Sequence, residues 1–354
     1  MIEVVIVDDS AVYRKFLAHS LEMSGKIRVI GLASSGEDAI QLLKECKPRV
    51  VIMDIHMPGM DGFETTSRIM NAFPVPVIII SSDYKVSEQA KTFRAIEAGA
   101  VTILPKPPGV GASENEQKIA ELVTQVRLMS EVKVVRKISL LKTKREPIPE
   151  SKPLPQDHEA ADWGNTLSVI GIGASAGGPV AIAEILQNLN PRFFIPIVIV
   201  QHIDPAFLNG FADWLASTTG REVVIAENGK PVSPGKVYLS PPDHNIGFYE
   251  PGNFRIEKSP AFRSFRPSVD ALFRSMAIVF GKRSLGILLS GMGADGAEAL
   301  KYLRGSGACT IAQDPDSALI NGMPGEAVKI NAARLIMAPA EISSFLNGLN
   351  NRQL

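Results

Sequence analysis

Short, largely apolar runs alternate with stretches whose apolar residues recur every three or four positions, and this pattern occurs twice along the chain. In the first half, Glu3–Val7, Arg28–Ala33, Val50–Met53, Pro76–Ile80 and Val101–Leu104 read as buried strands. Between them Val12, Phe16, Leu17 and Leu21 share one helical face, and Gly36–Glu45 and 85–98 are also helical in pattern. Met57–Gly62 reads as a loop from its Pro and Gly content. In the second half, strands are predicted from Ser168 onward and at Ile195–Val200, Val237–Leu239, Leu285–Leu289 and Cys309–Ala312. Pro179 suits a first helical turn, and Ile182, Ile185, Leu186 and Leu189 follow on one face. Phe207–Thr219, Ser268–Phe280 and Ala297–Leu303 are further helices. Such alternation predicts an α/β chain with two doubly wound parallel sheets, the first flavodoxin-like and the second Rossmann-like with three layers.

The two halves are separated by a change of composition. Val132–Arg145 carries Lys133, Arg136, Lys137, Lys142, Lys144 and Arg145 with no acid, and a proline-rich stretch follows from Pro147 to Pro155. This predicts a basic helical extension and then an extended linker. The expected division is a first domain at 1–125, a linker at 126–165 and a second domain at 166–350.

Parallel sheets of this kind bind ligands beyond the carboxyl ends of their strands. In the first half Asp8, Asp9, Asp54, Ser81 and Lys106 all stand at such ends. Each alone reads as a solvated loop residue. Together they are chemically legible: clustered carboxylates suit a hard cation such as Mg²⁺, and a lysine with a hydroxyl opposite suits a phosphoryl group. An aspartate can itself accept that group.

In the second half, Ser168–Pro179 runs from apolar strand through glycines around Ser175 into a helix. Gly173 to Gly177 reads as G-x-S-x-G, a turn that exposes a serine nucleophile. Starting at Gly171, the same residues read as a dinucleotide fingerprint, which needs an acid after the next strand. That strand ends instead in Gln201-His202, which favours hydrolysis. Histidine can take a serine proton near neutral pH, and Asp295, after another strand, can orient the ring. The N–H groups of Gly291-Met292-Gly293 are oxyanion-hole candidates. The plain alternative for Asp295 is a cap on the 297–303 helix.

Composition narrows the reading slightly. The 354 residues carry no net charge, with 45% hydrophobic and 21% charged residues, so nothing draws the chain to nucleic acid or a membrane surface. No apolar run approaches the ~18 residues of a membrane span, and no signal peptide is expected. Cys46 and Cys309 lie far apart, which fits a reducing cytoplasm.

Residues 1 to about 125 resemble a response-regulator receiver domain on the strand-end set given above. The resemblance implies Asp54 as phosphoacceptor, Asp8 and Asp9 as Mg²⁺ ligands beside it, Ser81 as the switch hydroxyl and Lys106 as the phosphate contact. Ile103 stands where that family usually has an aromatic residue, so aromatic switching is not expected. Residues 166–350 are similar to the catalytic domain of the chemotaxis methylesterases. The matching pieces are I-G-A-S-A-G-G-P at 172–179, V-Q-H at 200–202, R-P-S-V-D at 266–270 and G-M-G-A-D-G at 291–296. This implies Ser175 as nucleophile, His202 as base and Asp295 as orienting acid, with Met292 lining the oxyanion region. Ala176 replaces a threonine common in relatives and leaves only its backbone N–H there.

The implied activity is hydrolysis of glutamate γ-methyl esters on chemoreceptors, with glutamine deamidation by the same route. The implied phosphodonor is the chemotaxis histidine kinase, assisted by Mg²⁺, and no cofactor is expected for the hydrolysis. Two alternatives stand: a phosphorylation-switched protein that binds receptors without productive hydrolysis or acts outside chemotaxis, and a nucleotide-binding domain using Gly171–Ala176.

Overall fold

The computed structural model describes residues 1–82, 93–109, 115–132, 167–249, 252–258 and 267–350. It divides into two compact units, Met1–Lys144 and Arg145–Leu354. The basic run, the proline-rich stretch, Arg266 and part of the predicted 85–98 helix lie outside the described residues.

The first unit runs β1 (Ile2–Val7), α1 (Ala11–Glu22), β2 (Ile27–Ala33), α2 (Gly36–Glu45), β3 (Val50–Asp54), α3 (Gly62–Ala72), β4 (Val77–Ser81), α4 (Arg94–Ala98), β5 (Thr102–Pro105) and α5 (Asn115–Met129). The strands pair in parallel in the order β2-β1-β3-β4-β5. Val4–Val7, Val50–Met53 and Val77–Ile80 are fully buried, as expected of strands covered on both faces. Strand order reverses between β1 and β3, so the crevice at their carboxyl ends holds Asp8 and Asp54.

Two local readings change here. Val12 is 81% exposed, while Leu17 and Leu21 on the same helix are buried. Ser10 caps α1 only three residues after β1 ends, so the first turn stands at the rim of the sheet, beyond the core. The helix α3 has no counterpart in the sequence reading. Asp61 starts it by accepting the Glu64 N–H at 2.8 Å, directly after the Pro and Gly loop. At the unit's far end α5 buries Leu122, Val126 and Met129, and the Arg49 guanidinium holds the Ser130 carbonyl.

The second unit begins with β6 (Val169–Ala174), α6 (Gly178–Gln187), β7 (Ile197–Gln201), α7 (Leu208–Thr219), β8 (Val223–Ile225) and β9 (Val237–Leu239). It continues with β10 (Asn245–Tyr249), β11 (Asn253–Glu257), α8 (Val269–Val279), β12 (Ser284–Leu288), α9 (Ala297–Gly305), β13 (Cys309–Gln313), α10 (Met323–Lys329), β14 (Leu335–Met337) and α11 (Pro339–Asn350). Seven strands pair in parallel in the order β14-β13-β12-β6-β7-β9-β8. β10 and β11 form a separate antiparallel hairpin. The chain lays down β6, builds outward through β7, and returns to place β12 on β6's other side. The switch point therefore lies between the ends of β6 and β12.

The glycines of β6 serve this packing. A Cβ on Gly171 would come within 2.4 Å of Met276 Sδ, and one on Gly173 within 2.2 Å of a Val269 methyl. Both neighbours belong to α8, so the bare backbone lets that helix lie close against β6.

Candidate functional site

At the first sheet's mouth, Lys106 Nζ lies 2.6 Å from Asp8 Oδ2 and 2.6 Å from Asp54 Oδ2. Asp8 Oδ1 accepts the Ser10 N–H, and Asp54 Oδ1 accepts the Ile55 N–H. Ser81 is buried at the end of β4, and its carbonyl accepts the Lys106 N–H at 2.8 Å. Lys106 also stands 4.4 Å over the Tyr13 ring, whose hydroxyl donates to the Pro107 carbonyl. Tyr13 was not among the residues foreseen here. It reaches the site from α1, and no motif spacing marks it.

Burial pushes the Asp54 carboxyl above its usual range, while the bond from Lys106 pulls back without prevailing. Burial alone would lower Lys106, but its bonds to Asp54 and Asp8 outweigh that and raise it. Oxygens of Asp8, Asp9 and Asp54 lie within 4.8 Å of one another. Three carboxylates against one lysine leave negative charge over, and the donor set is all hard oxygen. The residues therefore fit Mg²⁺.

At the second sheet's mouth the register does the placing. Ala174 of β6 faces Gln201 of β7, so Ser175 and His202 are the next neighbours across two adjacent strands. The His202 N–H bonds the Ala174 carbonyl at 2.9 Å. The buried Gln201 carboxamide donates to the carbonyls of both Ser175 and His202. Ser175 N–H bonds the Ser290 carbonyl beyond β12 at 3.0 Å, tying the serine turn to the third element of the site. Gly177 then turns the chain at φ 78° into α6, a conformation that favours glycine.

His202 Nε2 lies 2.9 Å from Asp295 Oδ2. Asp295 is buried and accepts three further bonds, from Ser268 Oγ (2.9 Å), Val269 N–H (2.8 Å) and Asp270 N–H (3.2 Å). Burial alone would raise its carboxyl. The bond and charge of His202 and the two backbone N–H groups prevail and hold it below the usual range.

Two sequence expectations are corrected. Asp295 does not cap the helix that follows it. It caps α8, which lies earlier in the chain, because its side chain turns back to the N–H groups of Val269 and Asp270. Nor is Gly291 N–H an oxyanion donor, since it bonds the Ile320 carbonyl at 3.1 Å. Among the described residues, the N–H groups of Ala176 and Met292 enter no such backbone bond. The dinucleotide reading also loses its glycines, which face Met276 and Val269 of the chain itself.

Comparison with known proteins gives the family. Residues 170–346 match the model of the CheB methylesterase family, and residues 4–115 match the response regulator receiver domain. A protein-glutamate methylesterase/protein-glutamine glutaminase of Methanospirillum hungatei is 44% identical, covering 100% of this chain and 99% of its own. One from Hahella chejuensis is 41% identical over 98% of each chain. The crystal structure of the Thermotoga maritima CheB methylesterase catalytic domain is 32% identical, with a TM-score of 0.49. It covers 52% of this chain and 98% of its own.

Proposed function

This chain belongs to the CheB methylesterase family, and we propose that it hydrolyses glutamate γ-methyl esters on chemoreceptors in the cytoplasm. Glutamine side chains are deamidated by the same route. The bond between His202 Nε2 and Asp295 Oδ2, one strand from Ser175, carries this reading. Ser175 Oγ attacks the ester carbonyl while His202 takes its proton. The proton passes to the departing methoxide, and methanol leaves. Water, deprotonated by His202, then releases the glutamate and restores Ser175. For glutamine the leaving group is ammonia. The N–H groups of Ala176 and Met292 receive the developing oxyanion. Asp295 holds the ring and stabilises the imidazolium.

The receiver unit turns this activity on. Asp54 accepts a phosphoryl group from the chemotaxis histidine kinase. Mg²⁺, held by Asp8, Asp9 and Asp54, would offset the charge of the incoming phosphate. Lys106 and Ser81 contact the phosphoryl oxygens. Among the described residues no helix is long and apolar enough to cross a membrane.

The test is methanol release from methylated receptor membranes, with and without acetyl phosphate and Mg²⁺. Release that rises with the phosphodonor, and no longer rises in Asp54→Asn, is the expected result. The absence of release under every condition would leave a receptor-binding protein without hydrolysis. An undiminished response in Asp54→Asn would remove Asp54 as acceptor.

A further inference from the structure

Asp295 and Asp270 are both fully enclosed, and they exchange helix ends. Asp295, on the loop leading into α9, accepts the N–H groups that open α8. Asp270, in the first turn of α8, accepts the Gly296 N–H at 3.0 Å and the Ala299 N–H at 3.2 Å, which open α9. Gly296 is the residue next to Asp295, so Asp270 fixes the backbone that aims it. Ser268 fixes the side chain. Its hydroxyl holds Asp295 Oδ1, together with the Asp270 N–H, and so keeps Oδ2 toward His202 Nε2. Without that hydroxyl the carboxylate loses one of the three bonds, beside that to His202, that stop it turning about its own axis.

We propose that Ser268 and Asp270 are positioning residues for the hydrolysis, acting on His202 only through Asp295; this rests on the reading of Asp295 as the orienting acid. Both act on the carboxylate that orients the base. Their removal should therefore lower kcat and leave KM unchanged.

The experiment measures methanol release by the full chain at saturating and limiting methylated receptor. Ser268→Ala should lower kcat about tenfold, the loss of one hydrogen bond to a charged group. Asp270→Ala should lower it about 10- to 100-fold, the scale of a misplaced catalytic group. Asp270→Asn keeps an oxygen for Gly296 and Ala299 and should restore most of that loss. In an Asp295→Ala background neither substitution should reduce kcat further, because the residue they act through is gone. Unchanged kcat in Ser268→Ala, or losses that multiply fully with Asp295→Ala, would overturn the inference alone. Unchanged kcat in Asp295→Ala itself would overturn the triad reading beneath it. If Asp270→Ala does not fold, Ser268→Ala and its double variant with Asp295 decide the matter.

Discussion

At the mouth of the five-stranded sheet three carboxylates gather and one lysine bridges two of them; at the mouth of the seven-stranded sheet one buried carboxylate takes four donors. Both clusters occupy a topological switch point in a parallel sheet. They differ in how complete they are. The first leaves charge uncompensated, and burial forces the Asp54 carboxyl upward. The second compensates its charge with bonds from the chain itself, and Asp295 stays below the usual range despite its burial. An undercompensated cluster changes character when a cation or phosphoryl group arrives, which suits a switch. A compensated one keeps its shape through each turnover, which suits catalysis.

Four measurements sharpen or break this contrast. Ser175→Ala should cost about 10⁶ in kcat for methanol release, the scale seen when a triad nucleophile is removed. Turnover near that of the unaltered protein would dissolve the second cluster as an active site. Asp295→Asn should cost about 10⁴ in kcat, because the amide no longer holds the required tautomer of His202. Calorimetry of the full chain should then separate the units. Mg²⁺ at about 100 times its Kd should stabilise the first by about 2.7 kcal/mol, reversibly with chelator, and leave the second unmoved. Equal shifts in both transitions would contradict a cation site confined to Asp8, Asp9 and Asp54.

The smallest effect is the most discriminating, because its sign differs between the two sites. Asp54→Asn should stabilise the first unit at neutral pH by about 1 kcal/mol, as relief of a strained functional charge does. Asp295→Asn should destabilise the second by about 1–3 kcal/mol, since bonds to a buried carboxylate are lost. Thermal unfolding against pH checks the cause. The folded first unit holds the Asp54 proton above the unfolded value of about 3.9, so the penalty grows as pH rises through that window. Asp295 contributes stability that is complete above about 3.9 and is lost as pH falls through its lower folded value. The same sign at both sites would erase the contrast between the two clusters.

The sequence carried the two sheets well because strands covered on both faces leave long apolar runs. Ser175 and His202 are legible as candidates because they stand within two residues of such runs, and Asp295 because it closes the glycine-rich loop after Leu285–Leu289. What it hid depends on tertiary contact. β8 is a three-residue edge strand with only half-buried side chains, too short for a periodic signal. The β10–β11 hairpin has polar and apolar residues alternating in β11, Asn253–Glu257, and α3 opens on Asp61 with Glu64 three residues on. Both signals were present and were masked by neighbouring Pro and Gly. The roles of Ser268 and Asp270 were not legible at all, because 25 residues separate Asp270 from Asp295 and only the folded chain brings their helices end to end.

That exchange of helix ends also constrains how the enzyme can diversify. A single substitution at either aspartate unpins the start of a helix remote in sequence, and no change on the same segment repairs it. Compensation has to arise on the opposite strand-to-helix loop, in a separate mutational event, while the intermediate is still viable. Lineages of this fold should therefore alter their exposed surfaces far more freely than the pairing of these two loops, and a chimera joining α8 of one relative to the β12–α9 loop of another should inherit the weaker partner's geometry.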